Sequence, residues 1–301
     1  MRRICAIILG KEEYTMKKVA GYDFPLIKVD YAFKYVMARK ENKTVLKAFL
    51  EAVLKKGIRD FEIQDYEDTH LHKTSADDKL GILDLLVTLM DGTVVNVEMQ
   101  LHYKKNLLNR ITFYVTKLVA RQLKEGQGYE ALKPVISILI ADQNIFDESP
   151  AYHHTFHLYD SQNKVKFTDL LEIHTLELQK LPEAPEPDDM YRWAQFFKAD
   201  SREELESLAE QDENLAKAYA ELARLAEDPD ESLAYTRRML AVLDEQDLID
   251  THYERGMAKT QQLTMEAITL LQRGELAESV SHKLEWDLNY VESLASSFAP
   301  H

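Results

Sequence analysis

Three side chains in one short stretch have types and spacing that suggest chemistry. Asp84 is set inside the apolar run Ile82-Leu83-Asp84-Leu85-Leu86-Val87, and Glu98 and Gln100 close a second run, Val94-Val95-Asn96-Val97-Glu98-Met99-Gln100. An ionised carboxylate in an apolar strand is costly unless something positive meets it. Two such carboxylates brought together repel and share a proton, or hold a divalent cation through hard oxygen ligands.

The two runs meet at Asp91-Gly92, the composition of a β-hairpin, and the turn decides whether the acids meet. With a two-residue loop at Asp91-Gly92, Asp84 faces Met99 and the acids lie on opposite sides of the sheet. With a three-residue loop, Met90-Asp91-Gly92, and Gly92 as the left-handed residue of a bulge, Leu89 faces Thr93 and Asp84 lies opposite Glu98. Cross-strand neighbours on one face have Cβ atoms roughly 5 Å apart, close enough to share one metal ion. Gln100 then lies on that same face, and this second register is the one that explains the acids.

Asp84 followed after a hairpin by Glu98-Met99-Gln100 resembles the PD-(D/E)XK nuclease superfamily, and within it the Rpn-like recombination-promoting nucleases and transposases, whose last motif residue is often Gln in place of Lys. The segments Asp30-Tyr-Ala-Phe-Lys34, Arg110-Ile-Thr-Phe-Tyr114, Gly126-Gln-Gly-Tyr-Glu-Ala-Leu-Lys-Pro134 and Leu170-Leu-Glu-Ile-His-Thr-Leu-Glu-Leu178 carry further likeness. The similarity covers residues 24 to 181 well and the remainder loosely. It implies an α/β fold, a restriction-endonuclease-like mixed sheet flanked by helices, and a metal-dependent DNA endonuclease associated with recombination or transposition. It also implies that Asp84 and Glu98 bind Mg²⁺, with Mn²⁺ as a substitute, that Glu98 or Gln100 places the attacking water, and that Asp30 supplies an additional acid. The competing expectation is a catalytically weak or inactive nuclease-fold protein that binds DNA or assembles partners.

These residues need elements to position them. Phe33, Val36 and Met37, then Val45, Leu46, Phe49, Leu50, Val53 and Leu54, recur at helical spacing up to Gly57 and predict one or two amphipathic helices. Asp30 opens them, so it also reads as an N-cap. Phe61–Glu67 alternates as an exposed strand does, and Pro134–Ala141 is a continuous apolar run of the kind that forms a buried central strand. Weaker patterns place strands over Tyr152–Tyr159 and Leu170–Leu178. A helix is expected from Lys104 to Glu125, with Arg110, Tyr114, Lys117 and Arg121 on a face apart from its apolar stripe. Beside a metal site that must hold an anionic backbone, these four read as phosphate contacts. His70 and His72 lack two further ligands nearby and read as a solvated loop, and the same discount applies to His153, His154 and His157.

Three prolines in Leu181-Pro-Glu-Ala-Pro-Glu-Pro187 stop regular structure. The expected division is therefore an extension over 1–23, with Met16 as an alternative start, a nuclease-like domain over 24–181, a linker over 182–187 and a helical domain over 188–301. Helices are expected near 188–199, 201–226, 230–244, 248–272 and 275–297. The net charge of −15 divides unevenly: residues 1–135 hold 23 basic against 18 acidic side chains, and residues 136–301 hold 14 against 34. The basic excess sits with the hairpin, and the acidic helical region suits protein packing, so a homodimer through it is expected. The single cysteine, Cys5, excludes an internal disulfide framework, and no run approaches a membrane span. A cytoplasmic protein without membrane contact is the expectation.

Overall fold

The computed structural model describes residues 24–64, 70–71, 81–102, 106–184 and 186–297. The extension with Met16 and Cys5, and the side chain of His72, lie outside them. Compactness divides the chain at Leu240 into two units.

The first unit is built on a mixed sheet with the strand order β1-β4-β5-β6-β8-β7. The strands are β1 (Phe61–Ile63), β4 (Leu85–Leu89), β5 (Val94–Gln100), β6 (Val135–Ala141), β7 (His153–His157) and β8 (Leu171–Glu177). The two-residue strands β2 (His70–Leu71) and β3 (Gly81–Ile82) pair separately. β1, β4 and β5 run antiparallel as a meander, β5, β6 and β8 are parallel, and β7 returns antiparallel at the edge. Every residue of β6 is buried, as its place in the middle of the sheet requires.

On one face lies α3 (Leu107–Ala120), whose Leu107, Ile111, Val115 and Leu118 pack with Leu83, Leu86, Val135 and Leu139. The helix is shorter than the sequence pattern suggests, ending where Arg121 caps it. α1 (Asp30–Met37) contacts β5 and packs with α2 (Lys43–Leu54).

The aromatic residues beyond the prolines complete this core. α4 (Asp189–Lys198) sets Trp193 5.7 Å and Phe197 5.2 Å from Phe49, ring centre to ring centre, and Phe197 6.1 Å from Phe33. α5 (Arg202–Ala209) and α6 (Glu213–Glu227) follow, with Tyr219 stacked 5.3 Å from Phe24. The break between them, where one helix was expected, falls at Asp212, whose carboxylate caps the amides of Asn214 and Leu215. The start of α7 (Pro229–Gln272) adds Tyr235, whose hydroxyl accepts from the amide of Leu26 at 3.0 Å, and Glu231, which accepts from Tyr31 and Arg39 at 2.5 Å.

The prolines thus end regular structure without ending the packing. The expected boundary at 182–187 falls inside the first unit, where Tyr191 donates to the carbonyl of Pro182 at 2.8 Å. α7 is one helix across the break expected near residue 245, since Asp244-Glu-Gln-Asp247 contains no glycine or proline to stop it. In the second unit, α8 (Ala277–Leu284) and α9 (Leu288–Ser297) bury Val280 and Val291 with Ala267 and Leu270.

Candidate metal centre and its cationic flank

The turn between β4 and β5 sets the site. Leu89 N–H donates to Thr93 O at 2.8 Å, Gly92 N–H donates to Leu89 O at 2.9 Å, and Gly92 has φ +87°. Asp91 braces the loop by accepting from the amide of Thr93 at 2.9 Å. This is a three-residue loop, and the ladder beyond it pairs Thr88 with Val94, Leu86 with Asn96 and Leu85 with Val97. Continued by one residue, the register sets Asp84 opposite Glu98.

Asp84 lies one residue before β4 begins, at a bend, so it is not a strand residue as its apolar surroundings suggest. Its Oδ2 accepts from the amide of Met99 at 3.2 Å, a carboxylate taking the place of a ladder carbonyl. Its other oxygen, Oδ1, meets the ammonium of Lys34 at 3.1 Å.

Glu98 is 3 % exposed. Asn96 donates to its Oε1 at 3.3 Å. Burial, and next the negative charge of Asp84, push its carboxyl up to about 8, against the pull of Arg110. Around it the floor is polar: among the described residues, Asn96 Oδ1 and Ser137 Oγ are buried without a hydrogen-bond partner, and Asn96 and Ser137 are register partners on β5 and β6.

Gln100 is buried beside them, with both ends of its amide engaged. Its Oε1 accepts from Arg110 Nη2 at 2.6 Å and its Nε2 donates to His102 O at 3.0 Å.

The other expected site residues distribute differently. Asp30 is the first residue of α1 and Val29 occupies the cap position. The Asp30 carboxylate accepts from Tyr31 N at 2.9 Å and from Arg238 Nε at 2.6 Å, so the described structure engages it with α7. One turn further along α1 it is Lys34 that reaches Asp84. Lys34 stands in the segment Asp30–Lys34, but the sequence alone assigns it no role; its i+4 spacing from Asp30 was the available signal.

The stripe on α3 also divides. Arg110 faces Gln100, whereas Tyr114 is buried in the core cluster with Ile111 and Leu118, and is not on a solvent face. Lys117 lies 5.3 Å from the ring centre of Phe113, and Arg121 is exposed at the end of the helix. The four residues share one side of the helix at their 0, 4, 7, 11 spacing, but Tyr114 lies at the edge of the apolar stripe and is buried with it.

The histidines of β7 stand on the edge strand expected over Tyr152–Tyr159. His153 Nε2 and His174 Nδ1 are 3.0 Å apart with the ring centres 5.3 Å apart, so the nearly coplanar imidazoles meet edge to edge. Glu172 accepts from His174 Nε2 at 2.7 Å, which leaves His174 Nδ1 to accept from His153. Burial, and then His174, lower the pKa of His153 to about 4. His154 faces Glu177, whose buried carboxylate also accepts from the amides of Ile145 and Phe146 and pairs with Lys180. Among the described residues, no three His, Cys, Asp or Glu side chains gather as a metal site would require.

A mixed sheet flanked by helices agrees with what a family model finds in the sequence. That model, described as the PD-(D/E)XK nuclease family transposase, matches residues 27–252. The chain belongs to this family. No curated protein and no solved structure matches it. The span matched by this family runs past the prolines, through the helices that complete the first unit's core. No helix among the described residues is long and apolar enough to cross a membrane.

Proposed function

We propose that this protein is a metal-dependent DNA endonuclease in which Asp84 and Glu98 hold one Mg²⁺, with Mn²⁺ as a substitute. The observation that carries the reading is the register that faces Asp84 with Glu98, the second of them buried and repelled by the first. The donor set fits such an ion. Two hard carboxylates are what Mg²⁺ takes from a protein when waters and substrate phosphate fill its remaining positions, whereas zinc would ask for nitrogen or sulfur ligands. The unpartnered Asn96 and Ser137 oxygens beside Glu98 suit an ion's water shell.

A bound divalent ion supplies a more acidic water and neutralises charge developing on the scissile phosphate. The chain's own residues do the rest. Asp84 and Glu98 would offer their carboxylate oxygens to the ion, and Asn96 fixes one oxygen of Glu98. Lys34 neutralises Asp84, and Arg110, bonded to Gln100, holds positive charge where an anionic backbone must come to rest. DNA is the substrate this arrangement suits, and the basic excess of residues 1–135 favours its approach. The cytoplasm and a homodimeric assembly are part of the same proposal.

One observation favours the inactive reading: Lys34 gives Asp84 a cation from within the chain itself. Nicking of supercoiled plasmid by the purified protein decides between them. Mg²⁺-dependent nicking is expected, and it should vanish in Asp84→Ala and Glu98→Ala while both variants keep a cooperative melt. Nicking that survives in both variants, or a parent protein that leaves plasmid intact with Mg²⁺ and with Mn²⁺, defeats the proposal.

A further inference from the structure

Phosphodiester cleavage concentrates negative charge on the phosphate in the transition state, and a neutral amide at position 100 cannot balance it. Gln100 has a further restriction here. Oε1 accepts from Arg110 and Nε2 donates to the carbonyl of His102, so the amide is fixed in one orientation and turning it toward a phosphate would break two buried hydrogen bonds. What the amide does present is the guanidinium itself.

Arg110 is half-buried on the first turn of α3, with its Nη2 2.6 Å from Gln100 and its charge acting on Glu98. Its Nε–H is buried, and among the described residues it has no hydrogen-bond partner. A guanidinium is planar with five donors, suited to gripping two oxygens of one phosphate. A buried donor of this kind without an acceptor is costly, and a phosphate oxygen would satisfy it.

We infer that Arg110 is the catalytic cation of this site, contacting the scissile phosphate, and that Gln100 is a positioning residue that clamps the guanidinium beside Glu98. This rests on the endonuclease reading and gives Gln100 a different task from placing water. Lys34 does not fill the role, since its ammonium is committed to Asp84.

The test moves the charge from helix to strand. Four full-length proteins are compared with the parent: Arg110→Gln, Gln100→Ala, Gln100→Lys and the double exchange Arg110→Gln with Gln100→Lys. Cleavage is followed under single-turnover conditions with saturating protein and Mg²⁺, and binding to a short duplex is measured in EDTA. Arg110→Gln should cleave at least about 100-fold more slowly, the scale of losing one transition-state donor, while duplex affinity falls only about threefold. Gln100→Ala keeps the cation but frees it, and should lose about tenfold in rate with binding unchanged. The double exchange restores a cation at the strand position and should recover at least about tenfold over Arg110→Gln alone, a rescue that a merely structural role for Arg110 would not give. Gln100→Lys alone sets two cations against each other and should not exceed the parent.

The inference is overturned if Arg110→Gln cleaves within about threefold of the parent, if its loss follows weakened binding, or if the folded double variant recovers nothing. Should Arg110→Gln fail to fold, Gln100→Ala decides in its place, because parental cleavage by a protein whose clamp is gone refutes the positioning role. A parent that cuts no DNA refutes the endonuclease reading first and this inference with it; a parent that cuts, beside variants that cut equally well, refutes this inference alone.

Discussion

Glu98 is the residue whose surroundings most constrain its charge. Burial and the neighbouring Asp84 raise its carboxyl to about 8 in the folded protein, from an ordinary 4.5. Between those values the native state holds a proton that the unfolded chain releases, so stability in the absence of divalent ions must fall as the pH rises through this window. Glu98→Gln, neutral throughout, is expected to match the parent at pH 5 and exceed it at pH 8 by on the order of a few kcal/mol. Mg²⁺ should raise the parent's stability at pH 8 and leave the variant's unchanged. Urea melts at the two pH values, with and without Mg²⁺, make the comparison, and parallel behaviour of the two proteins would remove Glu98 from the metal centre.

At the scale of elements, the β4–β5 hairpin turns a sequence pattern into a site. Gly92 adopts φ +87°, and a Cβ added there would lie 3.0 Å from the Lys133 side chain, so both backbone and space favour glycine. Gly92→Ala should cost about 1–2 kcal/mol from the left-handed conformation. Deleting Gly92 is the sharper change. Shortening the loop shifts the pairing by one residue, and with a side-chain period of two that shift would turn Asp84 and Glu98 to opposite faces. Cleavage should be lost in the deletion and retained in Gly92→Ala at temperatures well below its melt. A deletion variant that folds and still cleaves would show that the acids need not share a face.

At the scale of the whole molecule, the acidic helices α4 to α6 belong with the basic sheet in the first unit. A protein cut at Leu181 would lose Trp193, Phe196 and Phe197, which are 3 % exposed or less, and uncover Phe33 and Phe49; such a truncation tests core loss and not charge. Charge neutralisation at the surface is the usable experiment. Glu203, Glu210, Glu213 and Glu227 are exposed on or beside α5 and α6. Because exposed charges are screened beyond about 8 Å at 0.15 M salt, only acids close to the DNA path reduce affinity there. Replacing the four by Gln is expected to tighten nonspecific duplex binding several-fold at low salt, with a melt close to the parent's. Unchanged affinity would place these helices away from the DNA and leave assembly as their role.

Much of this was legible in the sequence, because it depends on covalent spacing. The alternation of Val94–Gln100, the glycine in the turn and the unbroken run of β6 fix strands and register through pleat geometry and backbone sterics alone, and they bring Asp84 opposite Glu98. An acid inside an apolar run was signal enough, even though the strand begins one residue after it. Spacing along the chain could not reveal which distant side chains would meet these acids. Lys34 reaches Asp84 from α1, Arg238 takes Asp30 from 208 residues away, and Tyr114 turns inward while Arg110 holds Gln100. Nor could the prolines show that packing continues through them, since proline interrupts backbone hydrogen bonding but does not prevent the aromatic faces beyond it from closing on Phe33 and Phe49. Tertiary structure decided these points because a buried charge selects its partner by proximity in space, after the helices have settled on the sheet.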